Sequence, residues 1–102
     1  MPATVLVADD DEMFRELVTE ILTQGGYAVV RAEDGQAAWE LMQRKKVDIA
    51  VLDLNMPRMD GLELTRKIRD DAKYKDLPVL LLTVRAMVED QVSGYDRGAD
   101  DY

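Results

Sequence analysis

The chain has 102 residues and contains neither cysteine nor histidine, which excludes disulfides, thiolate metal sites and imidazole catalysis and leaves only oxygen-ligated metals such as Mg²⁺, Mn²⁺ or Ca²⁺. Its length suits one domain with a modest core, and 47% hydrophobic with 33% charged residues is the balance of a folded globular protein. A net charge of −8 argues against nucleic-acid binding by this domain, no window holds the ~18 apolar residues of a membrane span, and Met1-Pro2-Ala3-Thr4 lacks the basic region of a signal peptide, so a cytoplasmic location away from membranes is expected.

Thr4–Ala8 reads as a first strand and runs into Asp9-Asp10-Asp11. Met13, Phe14, Leu17, Val18, Ile21 and Leu22 then recur at helical spacing, and Gly25-Gly26 stops that helix. Residues 27–31 form the second predicted strand. Asp34 suits the N-cap of a second helix carrying Ala37, Ala38, Leu41 and Met42. Arg44-Lys45-Lys46, the only basic run, is placed to complement the dipole at the end of that helix. A third strand is predicted over residues 47–52 and meets Asp53 at its C-terminal lip. A third helix spans Gly61 to about Asp71, with Leu64 and Ile68 inward. Pro78 starts a fourth strand over residues 79–83. A shorter helix over 87–95, with Val88 and Val92, closes at Gly94 or Gly98.

The first, third and fourth strands lack a period-2 pattern, as expected of strands covered on both faces. The order βαβαβαβα implies a parallel sheet with helices on both sides. No linker, repeat or low-complexity segment divides residues 1–102, so one domain is expected. Trp39 is expected to pack partly against a neighbouring helix. Tyr27 and Tyr95 read as structural. The scattered methionines read as gap fillers, with Met56 and Met59 beside the loop after Asp53. The closing Gly98-Ala99-Asp100-Asp101-Tyr102 looks like the run-in to a fifth strand. A further strand and helix would need roughly 20 more residues, which makes the chain read as a fragment.

Two adjacent strands ending in acids would gather Asp9, Asp10 and Asp53 at one sheet edge, where open α/β sheets place their chemistry. Two carboxylates ~5 Å apart repel by about 3 kcal/mol at an effective dielectric of 20. Such a cluster either holds protons or binds a divalent cation. Mg²⁺ fits, since it takes one or two carboxylates, a carbonyl and waters, with room left for a phosphoryl oxygen. A carboxylate beside it can attack phosphorus and form an acyl phosphate. Thr83, ending the fourth strand, would offer a hydroxyl to that group. A plainer reading exists for each residue alone. Asp9 and Asp10 would cap the first helix, Asp53 would open a turn, Asp11 and Glu12 would be first-turn dipole acids, and Thr83 would be an ordinary strand residue. Capping, however, accounts neither for acids on two strands nor for Thr83.

These residues resemble the receiver domain of two-component response regulators, of the CheY-like superfamily. The resemblance covers essentially the whole chain. It rests on Val7-Ala8-Asp9-Asp10, on Val51-Leu52-Asp53-Leu54-Asn55-Met56-Pro57-Arg58-Met59-Asp60-Gly61 and on Leu81-Leu82-Thr83. Ala32-Glu33-Asp34-Gly35-Gln36-Ala37-Ala38 and Gly98-Ala99-Asp100-Asp101-Tyr102 extend it, each at the family's spacing. It implies a flavodoxin-like, doubly wound parallel sheet of strand order 2-1-3-4(-5), with the fifth strand and fifth helix missing from this chain. Asp53 matches the phosphorylated aspartate, and Asp10 a direct Mg²⁺ ligand. Asp9 matches an acid acting through metal-bound water, and Asn55 a backbone-carbonyl ligand. Thr83 matches the hydroxyl that turns toward the phosphoryl group, and Tyr102 the aromatic that changes rotamer with it. Pro57 and Gly61 match the turn shaping the loop after Asp53. The implied donor is a sensor histidine kinase or phosphotransfer protein, and a downstream output domain or partner would read the switch.

Two departures stand out. The family's lysine after the aromatic falls beyond Tyr102, and Lys73 and Lys75, in the loop before the fourth strand, do not replace it. Val84 stands where the family has a small residue, so slower turnover by small phosphodonors is expected, with Val84→Ala restoring the rate. Asn55 and Arg85 flank the phosphoryl site and are expected to tune the phosphate's lifetime. An uncovered fourth strand would be a sheet edge prone to pairing or swapping, so self-association is expected. Two other functions compete. A phosphorylation-independent interaction module would need no Mg²⁺. A phosphatase of the haloacid dehalogenase type would need an acid two residues after Asp53, where Asn55 stands.

Overall fold

The structure, a computed structural model, describes residues 2–82. The element order is β1 (Thr4–Ala8), α1 (Glu12–Gln24), β2 (Ala28–Ala32), α2 (Gly35–Arg44), β3 (Ile49–Asp53), α3 (Gly61–Asp70) and β4 (Val79–Leu82). The four strands are all parallel in the order β2-β1-β3-β4. Parallel neighbours are what results when each strand returns through a helix. Thr83 and the predicted helix over 87–95 lie outside the described residues, as do Tyr95 and the expected fifth-strand run-in.

Local chemistry explains the boundaries, including those that differ from expectation. Asp11, read from sequence as a first-turn acid, is the N-cap of α1: its Oδ1 accepts the Phe14 N–H at 3.2 Å. Neither Asp9 nor Asp10 caps that helix. Gly25 caps its C-terminus, and the chain turns away through Gly26 at φ 93. The Tyr27 N–H still bonds back to the Leu22 carbonyl, so β2 starts one residue later than expected. β3 starts at Ile49 rather than at residue 47. Asp48 instead clamps the start of β1, its Oδ2 accepting the Thr4 N–H at 2.8 Å while its own N–H reaches the Thr4 carbonyl. Asp34 caps α2 and Asp60 caps α3, accepting the Ala37 and Glu63 N–H groups. Arg44 sits in the last turn of α2, as the dipole requires.

Side chains alternate across each strand, so the sheet builds two cores. Leu6, Ala8, Ala50, Leu52, Val79 and Leu81 face α2 and α3 and pack with Ala38, Met42, Leu64 and Ile68. Val5, Val7 and Val51 form a smaller cluster on the other face with Val18 and Leu22 of α1. Leu64 and Ile68 are fully buried, each removing apolar surface from water worth about 1.5–3 kcal/mol. Trp39 meets Tyr74 edge-on at 5.6 Å, and the Tyr74 hydroxyl donates to the Met42 carbonyl at 2.9 Å. That contact ties α2 to the segment after α3.

Candidate functional site

The register of the central strands brings the acids together. β1 and β3 are adjacent and parallel, with Ala8 opposite Leu52. The next residues, Asp9 and Asp53, therefore leave the same edge side by side. Ligand oxygens of Asp9, Asp10 and Asp53 all lie within 4.8 Å of one another. Asp9 is buried, Asp53 half-buried and Asp10 exposed. The expected trio is thus one cluster.

Two loops hold it. In the first, the Asp9 N–H donates to the Ala32 carbonyl of β2, and Asp9 Oδ1 accepts the Asp11 N–H at 2.9 Å. Arg15, one turn into α1, donates to the Asp9 carbonyl at 2.7 Å. In the second, the Asn55 N–H donates to the Asp53 carboxylate, and the Gly61 N–H closes the loop on the Leu54 carbonyl at 3.1 Å. A Cβ on Gly61 would lie 2.3 Å from the Asp53 carbonyl oxygen, so only glycine lets α3 start against the end of β3.

The electrostatics are those of crowded negative charge. Asp53 is pushed up to about 6, first by burial, then by the charge of Asp9 and by the charge and hydrogen bonding of Asp10; the Asn55 N–H opposes the rise. Asp9 is also raised, mainly by burial and further by Asp10 and Asp11, against the Asp11 N–H and Arg15. Oxygen-only donors that resist simultaneous ionisation suit a small hard dication, whose charge would cancel the repulsion. Asp10, Asp53 and Asp9 offer the carboxylates for it.

Thr83, Val84, Arg85 and Tyr102 lie outside the described residues. Sequence reading missed Arg15 and the ion pair between Arg58 and the buried Asp34. Arg15 carried a faint signal, a cation one helical turn beyond an acidic strand end. Arg58 carried none, because Asp34 already had a sufficient role as a cap. No helix among the described residues is long and apolar enough to cross a membrane.

Known proteins resemble this chain in sequence and in fold. The sequence profile of the response regulator receiver domain matches residues 5–102. Response regulator MprA of Mycolicibacterium vanbaalenii is 46% identical over 102 residues, all of this chain and 43% of that protein. The chain therefore spans less than half the length of that curated relative. The chemotaxis protein CheY4 of Vibrio cholerae superposes with a TM-score of 0.92 at 35% identity, covering 99% of this chain and 84% of that one. The receiver domain of sensor histidine kinase PA1611 from Pseudomonas aeruginosa, solved with a magnesium ion in its active-site cleft, gives a TM-score of 0.90 at 26% identity over 100% of this chain and 84% of that one. An acid-lined parallel edge, a profile match over nearly the whole sequence and these structural relatives lead to one conclusion: the chain belongs to the response regulator receiver domain family.

Proposed function

We propose that residues 1–102 form one receiver domain, a switch set by phosphorylation of Asp53, with a sensor histidine kinase or phosphotransfer protein as donor. The observation that carries this reading is the meeting of Asp9, Asp10 and Asp53 within 4.8 Å. The reaction is a transfer between two nucleophiles. An Asp53 oxygen attacks phosphorus in line, the phosphorus–nitrogen bond to the donor histidine breaks, and its electron pair returns to the imidazole. Asp53, at about 6, is mostly ionised near neutral pH and can act as nucleophile without a base.

Asp10, Asp53 and the Asn55 carbonyl are the proposed direct ligands of Mg²⁺, and Asp9 acts through water. When bound, the ion supplies the charge that offsets the carboxylates and the phosphoryl oxygens. The chain does the rest. Arg15 and the Asp11 N–H fix Asp9, and the Asn55 N–H orients Asp53. Thr83 is assigned the hydroxyl that meets the new phosphoryl group, and Tyr102 the rotamer change that follows. The output is then a shifted surface rather than a released product. A downstream domain or partner reads it, in keeping with relatives more than twice this length.

The test is intact mass after incubation with acetyl phosphate, with and without Mg²⁺, on this chain and on Asp53→Asn. One added phosphoryl group that needs Mg²⁺ and is lost in the variant is the expected result. No gain, either here or in a version extended through the natural downstream sequence, would replace the switch with a phosphorylation-independent interaction module. The expected self-association through β4 is read separately, by light scattering at high concentration. A monodisperse monomer would end that idea.

A further inference from the structure

The loop between β3 and α3 contains a strained turn that the carboxylate cluster does not account for. The Met59 N–H donates to the Pro57 carbonyl at 2.8 Å, and Arg58 between them has φ 68. A three-residue hydrogen-bonded turn with positive φ at its centre is the rarer, strained form of the γ-turn. Arginine has no glycine-like tolerance for it, so the surroundings must hold it.

Two features of α2 do so. A Cβ on Gly35 would lie 2.0 Å from the Met59 carbonyl oxygen, so the loop backbone rests directly on the first residue of the helix. The Arg58 guanidinium also pairs with Asp34 Oδ2, while Asp34 Oδ1 accepts the Ala37 N–H at 2.7 Å. Asp34 is 1% exposed. Burial alone would raise its carboxyl, but the Ala37 N–H and Arg58 outweigh it and hold it below the usual carboxylate range. One buried carboxylate thus caps a helix and anchors a loop.

This pair borders the acid cluster. Asp10, Glu33, Asp34, Pro57 and Arg58 line a single open cleft of about 450 Å³. The stem of the loop is closed by Gly61 on Leu54, and its apex is pinned by Arg58. Met56 and Met59 are buried beneath. Asn55 lies between stem and apex.

We infer that the Arg58–Asp34 pair is a positioning latch that holds loop 54–60 in the conformation presenting Asp53 and the Asn55 carbonyl to a divalent cation. The inference rests on the Mg²⁺-dependent reading above. Arg58 and Asp34 touch no reacting atom. They set cation affinity from outside the ligand set, as outer partners of metal ligands do.

The experiment compares wild type with Arg58→Gly, Arg58→Lys, Asp34→Asn and the Arg58→Gly/Asp34→Asn double variant. Glycine accepts the positive φ, so Arg58→Gly removes the latch while relaxing the turn. Asparagine retains an oxygen for the Ala37 cap. Mg²⁺ affinity is measured by calorimetry, and amide hydrogen exchange over residues 54–61 is measured without metal. Arg58→Gly and Asp34→Asn should each weaken Mg²⁺ binding about tenfold and speed exchange in the loop, while the Asp11 amide is unchanged. The double variant should bind no worse than either single one, and Arg58→Lys should recover part of the affinity. Faster exchange with unchanged affinity would reduce the pair to a structural contact and overturn the inference. Unchanged exchange would overturn it as well. A wild-type chain that takes up no Mg²⁺ would instead sink the functional reading, and the positioning role with it.

Discussion

The two faces of the sheet are built from equally apolar strands yet end in different states. On the α2–α3 face, Leu6, Leu52, Leu64, Ile68 and Leu81 are completely buried. On the α1 face the cluster is Val5, Val7 and Val51, and α1 contributes no buried residue. The helix explains the difference. Its apolar residues form two neighbouring stripes at i, i+4 spacing. Val18 and Leu22 lean on the sheet, whereas Met13, Leu17 and Ile21 are 84%, 52% and 59% exposed. Strand composition therefore does not decide how much a face contributes. Among the described residues the cover does: α2 and α3 pack on one face and α1 alone on the other, with its outer stripe exposed.

The largest effect should come from Leu64→Ala. Truncating a fully buried leucine on the crowded face should cost about 3 kcal/mol, read as a lower urea midpoint at unchanged slope. Gly61→Ala should follow at about 2 kcal/mol, because its Cβ meets backbone rather than a side chain that can move aside. It should also weaken phosphorylation, since the atom it meets belongs to Asp53.

Asp53→Asn tests the boundary between the faces and should be stabilising. The unfolded carboxyl ionises near its ordinary value of 3.8, and the folded one at about 6. The folded state therefore binds the proton more tightly, and wild-type stability falls as pH rises from roughly 4 to 6, then levels off. The asparagine variant lacks that fall. At pH 7.5 without metal it should gain about 1 kcal/mol, after allowance for the site's solvent exposure. The gain should vanish near pH 4 and shrink when Mg²⁺ is added to both proteins. A gain that ignores pH would show that repulsion among the acids is not its source.

The smallest effect sharpens the contrast. Leu17→Gln on the outer stripe of α1 should change stability by no more than about 0.5 kcal/mol. A loss as large as that of Leu64→Ala would show that the outer stripe is covered, by self-association if the loss depends on protein concentration.

Much of this was legible because the signals are local. β1 was found to the residue, since Thr4–Ala8 is an unbroken apolar run that stops at charge. Asp34 declared itself as a cap by preceding an amphipathic stretch. The acid trio was legible because two buried strands ended in carboxylates. The errors came where one residue could serve two neighbours. Tyr27 has strand propensity but is held back by Leu22. Three consecutive aspartates hid which one capped α1. Asp48 looked like the interior of a strand but clamps Thr4. The Arg58–Asp34 pair was illegible for another reason. It joins residues distant in sequence, and its turn uses arginine where only glycine or asparagine would have announced a positive φ.

The pairing of Ala8 with Leu52 carries a further consequence. β1 and β3 are joined through α1, β2 and α2, so Asp9 and Asp53 come together only when strands distant in sequence pair, and a slip of one residue would part the two acids. The unfolded chain thus offers no site at all. Any ion held jointly by Asp9, Asp10 and Asp53 is a ligand of the native state alone, and at ten times its dissociation constant it adds about 1.4 kcal/mol to folding. A melting curve followed against ion concentration would then serve as a binding isotherm for the site.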